Sequence, residues 1–149
     1  MARLKKVKIE YIGSVKRASP NENVKDKNLI SKIVLRGELA EALDGIEDYS
    51  HIFVIFWLHK VSDGEKLIMK VHPQAKLELP LTGIFATRTP NRPNPVGLTL
   101  VRLLKRDGET LWVKGLDAFD GTPVLDIKPY YGEDISEDIR VPRWMTRMR

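Results

Sequence analysis

Arg88, Asn91, Arg92 and Asn94 are interleaved with Pro90, Pro93 and Pro95. Each proline fixes φ near −65° and removes a backbone donor, and each pushes the residue before it toward extended geometry. A loop this stiff loses little entropy on ordering, so its guanidinium and amide groups can be held in fixed places for a planar or anionic ligand. On residues alone, a rigid loop with solvated arginines is an equal reading. An arginine fork matches a carboxylate bidentately, and Arg88 follows directly on the apolar stretch Gly83–Thr87, which reads as a buried strand with its end at a rim. Arg92, between two prolines, suits a second carboxylate or an RNA phosphate.

A second cluster runs Asp117-Ala118-Phe119-Asp120-Gly121-Thr122. It offers two carboxylates, free backbone groups and an aromatic ring, the set that reads a ribose diol and a purine. Taken alone it is better explained as an Asx-type turn, since Asp-Gly is ordinary turn chemistry. His59-Lys60 closes the most apolar run of the chain, where a strand emerges from a core. The C-terminal stretch Arg140–Arg149 interleaves four arginines with Trp144, a composition that suits phosphate and base contacts and equally a solvated tail. No glycine spacing gives a dinucleotide or phosphate-loop fingerprint. His51, His59 and His72 lack metal-ligand spacing, so no metal is expected.

The elements that must position these groups read mostly as strands. Val7, Ile9 and Tyr11 alternate with polar neighbours and predict a first strand ending near Gly13. Lys16 to Asn28 reads as a loop and Leu29–Leu35 as a strand. Glu38–Leu43 predicts a short helix with Leu39, Ala42 and Leu43 on one face and Gly45 just past its end. His51–Leu58 is apolar on both faces and predicts the central strand. Leu67–Val71, Gly97–Leu104, Thr110–Lys114 and Val124–Ile127 complete the set, with a hairpin at Asp107-Gly108. Roughly seven or eight short strands with one short helix predict a mainly β fold, a single antiparallel β-barrel. It occupies residues 1–149 as one domain, with an irregular extension from about residue 130.

Composition sets the outer bounds. The 149 residues carry no cysteine and a net charge of +5, from 25 basic and 20 acidic side chains. Disulfides and thiolate metal sites are excluded. The charge is compatible with nucleic acid without requiring it. The longest apolar run is far short of a membrane span, and the N-terminus has no apolar signal core, so a soluble cytoplasmic protein with no membrane association is expected.

The strings ATRTPNRPNPVGL (Ala86 to Leu98) and LDAFDGTPVLDIKPY (Leu116 to Tyr130) resemble the TrmO-like family. Its members are S-adenosylmethionine-dependent methyltransferases acting on N-threonylcarbamoyladenosine next to the tRNA anticodon. The likeness extends more loosely from Tyr11-Ile12-Gly13 to Lys128-Pro129-Tyr130. It implies a barrel, a homodimer with the cofactor near the interface, and a tRNA substrate. It implies cofactor contacts at His59, Lys60, Arg88, Leu98, Asp117, Ala118, Phe119 and Asp120, and substrate contacts at Asn91, Arg92 and Asn94. Two departures stand out: Lys60 occupies a position that is an amide in the family, and the loop Pro20–Asn28 lacks the family's Pro-Arg-Gln-like element. The chain is also expected to lack the C-terminal domain with which longer members assist tRNA binding. Methyl transfer to a delocalised nitrogen benefits from a general base, typically ~10² to 10⁴ in rate, and Asp120 and His59 are both candidates. The rival class is a non-enzymatic barrel that binds RNA, or one that offers Pro90–Pro93 as a PxxP ligand. It would not take up S-adenosylmethionine.

Overall fold

The computed structural model describes residues 5–58 and 67–148. Six strands close an antiparallel barrel: β1 (Gly13–Arg17), β2 (Ile30–Leu35), β3 (His51–Trp57), β6 (Val96–Asp107), β7 (Thr110–Lys114) and β8 (Pro123–Pro129). Their order around the barrel is β1-β2-β7-β6-β3-β8, with β8 pairing back onto β1. The two-residue strands β4 (Lys70–Val71) and β5 (Thr82–Gly83) pair only with each other. Eight strands are thus present among the described residues, as expected, but only six form the barrel.

Alternation along each strand builds the interior. Val15, Ile33, Leu35, Ile52, Val54, Phe56, Val101, Leu111, Val113 and Val124 point inward and are buried, while Thr110, Trp112 and Lys114 of β7 face out. Strand β3 lies between β6 and β8. Its outward residues Phe53, Ile55 and Trp57 are half-buried, and the Phe53 ring meets Tyr130 edge-on at 5.6 Å. Gly97 is forced by close approach, because a Cβ there would lie 2.5 Å from the Phe56 ring. Arg106 leaves the barrel wall to hold the segment before β3, through Asp44 at 2.9 Å and Glu47 at 3.1 Å.

Several local expectations are corrected. Residues 5–12 form no strand: Val7 is 83% exposed, and β1 begins only at Gly13. Alternation implies a strand only where a partner is free, and here β1 is already paired on both sides by β2 and β8. β1 also runs on to Arg17, into the stretch expected to be loop. The segment expected as a short helix is a 3₁₀ helix, Gly37–Leu43, with Leu43 buried and Ala42 exposed. Gly45 does follow its end in the left-handed region, at φ 92°. Gly83–Thr87 is not a buried strand. Only Thr82–Gly83 pairs, and Ile84–Ala86 turns as a 3₁₀ helix that buries Ile84 and leaves Phe85 76% exposed. Leu67–Val71 shrinks to the two residues of β4. Among the described residues beyond β8 the regular elements are 3₁₀ turns, at Gly132–Asp134 and Arg143–Met148. Among the described residues no helix is long and apolar enough to cross a membrane, and no cluster of three potential metal ligands occurs.

Candidate functional site

Antiparallel order decides which loops share a rim. The ends of β1, β3 and β7 and the starts of β2, β6 and β8 lie at one mouth of the barrel. The proline loop before β6 and the turn after β7 therefore meet at one rim, although about twenty residues of sequence separate them. The loop Ala18–Leu29 between β1 and β2 closes the same rim.

The proline loop is internally braced. Thr87 donates its hydroxyl to the Ile84 carbonyl at 2.8 Å and accepts the Thr89 amide at 3.2 Å. Nη1 of Arg92 donates to the carbonyls of Thr89 at 2.7 Å and Thr87 at 3.2 Å. Its guanidinium carbon lies 5.9 Å from the centre of the Phe85 ring. One nitrogen of Arg92 is thus committed to the loop itself, a role not foreseen from its place between two prolines. Arg88, Asn91 and Asn94 are exposed on the loop surface. The loop joins the barrel where the Leu58 amide donates to the Pro95 carbonyl at 2.8 Å.

The turn after β7 is fixed from three sides. Gly115, at φ 94°, donates its amide to Leu29 and accepts Lys27 Nζ at 3.4 Å. The Asp117 carboxylate accepts the Thr99 hydroxyl at 2.5 Å and lies 3.8 Å from Lys27 Nζ. Asp120 Oδ1 accepts the Arg17 amide at 2.8 Å, and its own amide donates to Asn21 Oδ1 at 3.0 Å. The Arg17 side chain points inward and donates to the carbonyls of Leu116 at 3.5 Å and Pro20 at 3.3 Å. Its Nε is buried without a partner among the described residues. Between these anchors, the amides of Asp117, Ala118 and Phe119 make no hydrogen bond among the described residues. Ala118 is buried and Phe119 half-exposed.

Arg88, Asn91, Arg92, Asn94 and Asp117–Asp120 therefore lie at the same mouth of the barrel. Leu98 is set apart: its side chain points outward from β6 and is 57% exposed, while its neighbour Thr99 points inward to Asp117. His59 and Lys60 lie outside the described residues. Thr99, Lys27 and Arg17 were not foreseen. Thr99 sits at an inward position of an apolar strand, and Arg17 belongs to a strand whose limits the alternation misplaced. A depression of about 440 Å³ lined by Leu43, Asp48, Tyr49 and Pro129 is at the opposite mouth and contains none of these groups.

A closed six-stranded antiparallel barrel with a proline-stiffened arginine loop and an Asp-Ala-Phe-Asp-Gly turn at one rim defines a small-barrel class without a nucleotide-binding glycine loop. Residues 10–134 match the tRNA-methyltransferase O N-terminal domain (TrmO_N), and the chain belongs to that family. It is 53% identical over 105 residues to a "Probable S-adenosyl-L-methionine-binding protein" of Methanothermobacter thermautotrophicus, covering 70% of this chain and 72% of that protein. It is 42% identical over 102 residues to the Homo sapiens "tRNA (adenine(37)-N6)-methyltransferase", covering 68% of this chain and 23% of that protein. The crystal structure of TrmO from Pseudomonas aeruginosa superposes with a TM-score of 0.72 at 30% identity, over 91% of this chain and 62% of that one. The chain thus spans most of the archaeal relative and less than two thirds of the other two.

Proposed function

We propose that this protein transfers a methyl group from S-adenosylmethionine to the exocyclic nitrogen of N-threonylcarbamoyladenosine next to the tRNA anticodon, in the cytoplasm. The observation that carries the reading is the run Asp117–Phe119, anchored on either side, with a fixed carboxylate at its first residue and three amides that make no hydrogen bond among the described residues. That donor set fits a nucleoside: a carboxylate for the ribose diol, backbone edges for the base and the Phe119 ring to stack on it. Family membership supports the same cofactor.

S-adenosylmethionine supplies a methyl group on positively charged sulfur, which becomes a neutral thioether when the nitrogen takes the methyl in line. The chain's own residues do the rest. Asp117, pinned by Thr99, orients the ribose, and Arg88 pairs with the methionyl carboxylate as a rim guanidinium would. Arg92, through the nitrogens not spent on its loop, and Asn91 and Asn94 face the threonyl group. The acceptor nitrogen is a poor nucleophile, because its lone pair is shared with the purine and the carbamoyl group, and its proton must leave. Asp120 has one carboxylate oxygen on the Arg17 amide and the other available to take that proton; His59 is the alternative base. Positioning and exclusion of water supply the remaining acceleration.

A homodimer is part of the proposal. The cross-strand pairs Trp57–Val96, Ile55–Leu98 and Phe53–Leu100 form an apolar strip on the outer wall of β3 and β6, with Leu98 and Leu100 exposed. Covering that strip with a second copy would bring Leu98 into an interface beside the rim, as the family's placement of the cofactor implies. Calorimetric titration of the wild-type chain with S-adenosylmethionine tests the reading. Saturable binding that Asp117→Ala weakens is expected, whereas absence of binding would favour the non-enzymatic barrel.

A further inference from the structure

The outer wall of β1, β2, β7 and β6 carries a charge pattern that the rim chemistry does not use. These four strands contain a single acidic residue, Asp107, at the hairpin end away from the rim. Strand register aligns Lys16 with Lys32, Lys32 with Trp112, and Trp112 with Lys105. One lateral row therefore crosses four strands, spanning roughly 14 Å at the usual interstrand spacing of about 4.8 Å. A second row beside it pairs Lys114 with Arg102. Among the described residues none of these five cations has a carboxylate partner, although five other ion pairs form elsewhere.

The row is also arranged against its own stability. Lys16 and Lys32 are directly opposed across the β1–β2 pair, and like charges in that position destabilise a sheet. Trp112 partly relieves this by holding ammonium groups over its ring, with Lys105 Nζ at 4.8 Å and Lys32 Nζ at 5.4 Å from the centroid. The lysines are thus pre-positioned, outward-facing and unneutralised. Clustered cations without interspersed acids, on either side of an aromatic ring, complement a polyanion with a charge on every repeat. Moreover, β1 and β7 deliver this wall to the rim at Arg17 and Lys114, so a chain lying along it reaches the loops of the candidate site.

We infer that the wall formed by Lys16, Lys32, Lys105, Lys114 and Arg102 around Trp112 is a docking surface for the phosphate backbone of RNA. It rests on the RNA substrate of the proposed function and says how this barrel holds that substrate. None of these residues touches the reacting atoms; their contribution is to affinity and orientation.

The test is fluorescence anisotropy with a labelled, unmodified tRNA transcript across about 50 to 200 mM salt. Comparison is between the wild type, Lys32→Gln/Lys105→Gln, the charge-preserving Lys32→Arg/Lys105→Arg, and Lys128→Gln as a control. Lys128 pairs with Asp126 on β8 and lies outside the wall. The glutamine pair should lower the slope of log K against log salt by about 2, one per lost phosphate contact, and weaken binding about tenfold or more at low salt. The arginine pair and the control should keep the wild-type slope. An unchanged slope and affinity in the glutamine pair would overturn the proposal. So would a wild type that binds poly-glutamate of matched charge as tightly as tRNA, since the occupant would then be an acidic polypeptide. Calorimetry with S-adenosylmethionine on the same proteins separates the two readings. RNA binding that depends on the wall without cofactor binding overturns the methyltransferase and keeps the wall, whereas tRNA methylation indifferent to the glutamine pair overturns the wall alone.

Discussion

Thr99→Val removes one atom's chemistry from the floor of the candidate site while nearly keeping its shape. Thr99 is almost buried, and its hydroxyl donates to Asp117 at 2.5 Å. Hydrogen bonds to a charged group contribute about 1.5–3 kcal/mol. The Asp117 side chain is 38% exposed, so water replaces part of the lost bond and the lower end of that range applies. A loss of about 1.4 kcal/mol in binding is a tenfold weaker Kd, and that is the effect expected on S-adenosylmethionine affinity. Stability should fall by about half as much, because the added methyl group is buried and returns about 0.8 kcal/mol. Calorimetric Kd and urea denaturation on the same preparation separate the two quantities, and Thr99→Ser, which keeps the hydroxyl, should bind like the wild type. If Thr99→Val binds within twofold of the wild type while folding normally, then the Thr99–Asp117 contact does not set the geometry of a cofactor site.

Asp120→Asn keeps an oxygen to accept the Arg17 amide, so melting should change little while single-turnover methylation falls; wild-type turnover would return Asp120 to a turn residue. Arg88→Ala, at an exposed loop position, should alter stability by less than about 0.5 kcal/mol while costing ~2–5 kcal/mol in binding of cofactor or RNA if the pair it makes is desolvated. Unchanged affinity for both ligands would remove Arg88 from the site. Gly97→Ala puts a methyl group 2.5 Å from the Phe56 ring, and overpacking of this kind costs about 1–3 kcal/mol. Equilibrium denaturation should register that loss, and a change near zero would mean that the ring can move aside.

The two motifs at the rim were legible because their chemistry is local. Proline fixes its own φ, and Asp120-Gly121 makes its own turn, with Gly121 at φ 81°. The apolar runs of β3, β6 and β7 likewise announced themselves by composition and alternation. What joins these pieces was not legible, because it depends on register between distant strands. Thr99 meets Asp117 across 18 positions, and Arg17 meets Leu116 across 99. The basic wall has no charge run to betray it; its lysines are scattered along the chain and meet only when β1, β2, β7 and β6 pair. Apolar pattern misleads where no partner strand is free, at Val7 to Tyr11 and at Gly83 to Thr87. In the second case a 3₁₀ turn uses the same apolar residues, Ile84, Phe85 and Ala86.

The proposed reaction and its substrate can be tested together. Labelled S-adenosylmethionine is offered with tRNA carrying the threonylcarbamoyl group and with the same tRNA lacking it. A site using Arg88 and Arg92 for two carboxylates leaves a guanidinium unpaired on the unmodified tRNA, and sites built to pair a polar group discriminate against its absence by about 10⁴–10⁵. The unmodified nitrogen also lacks the carbamoyl group that acidifies its proton. Methyl incorporation into the modified tRNA alone is expected. Equal incorporation into both would contradict the two-carboxylate site, and incorporation only into the unmodified tRNA would contradict the assigned substrate.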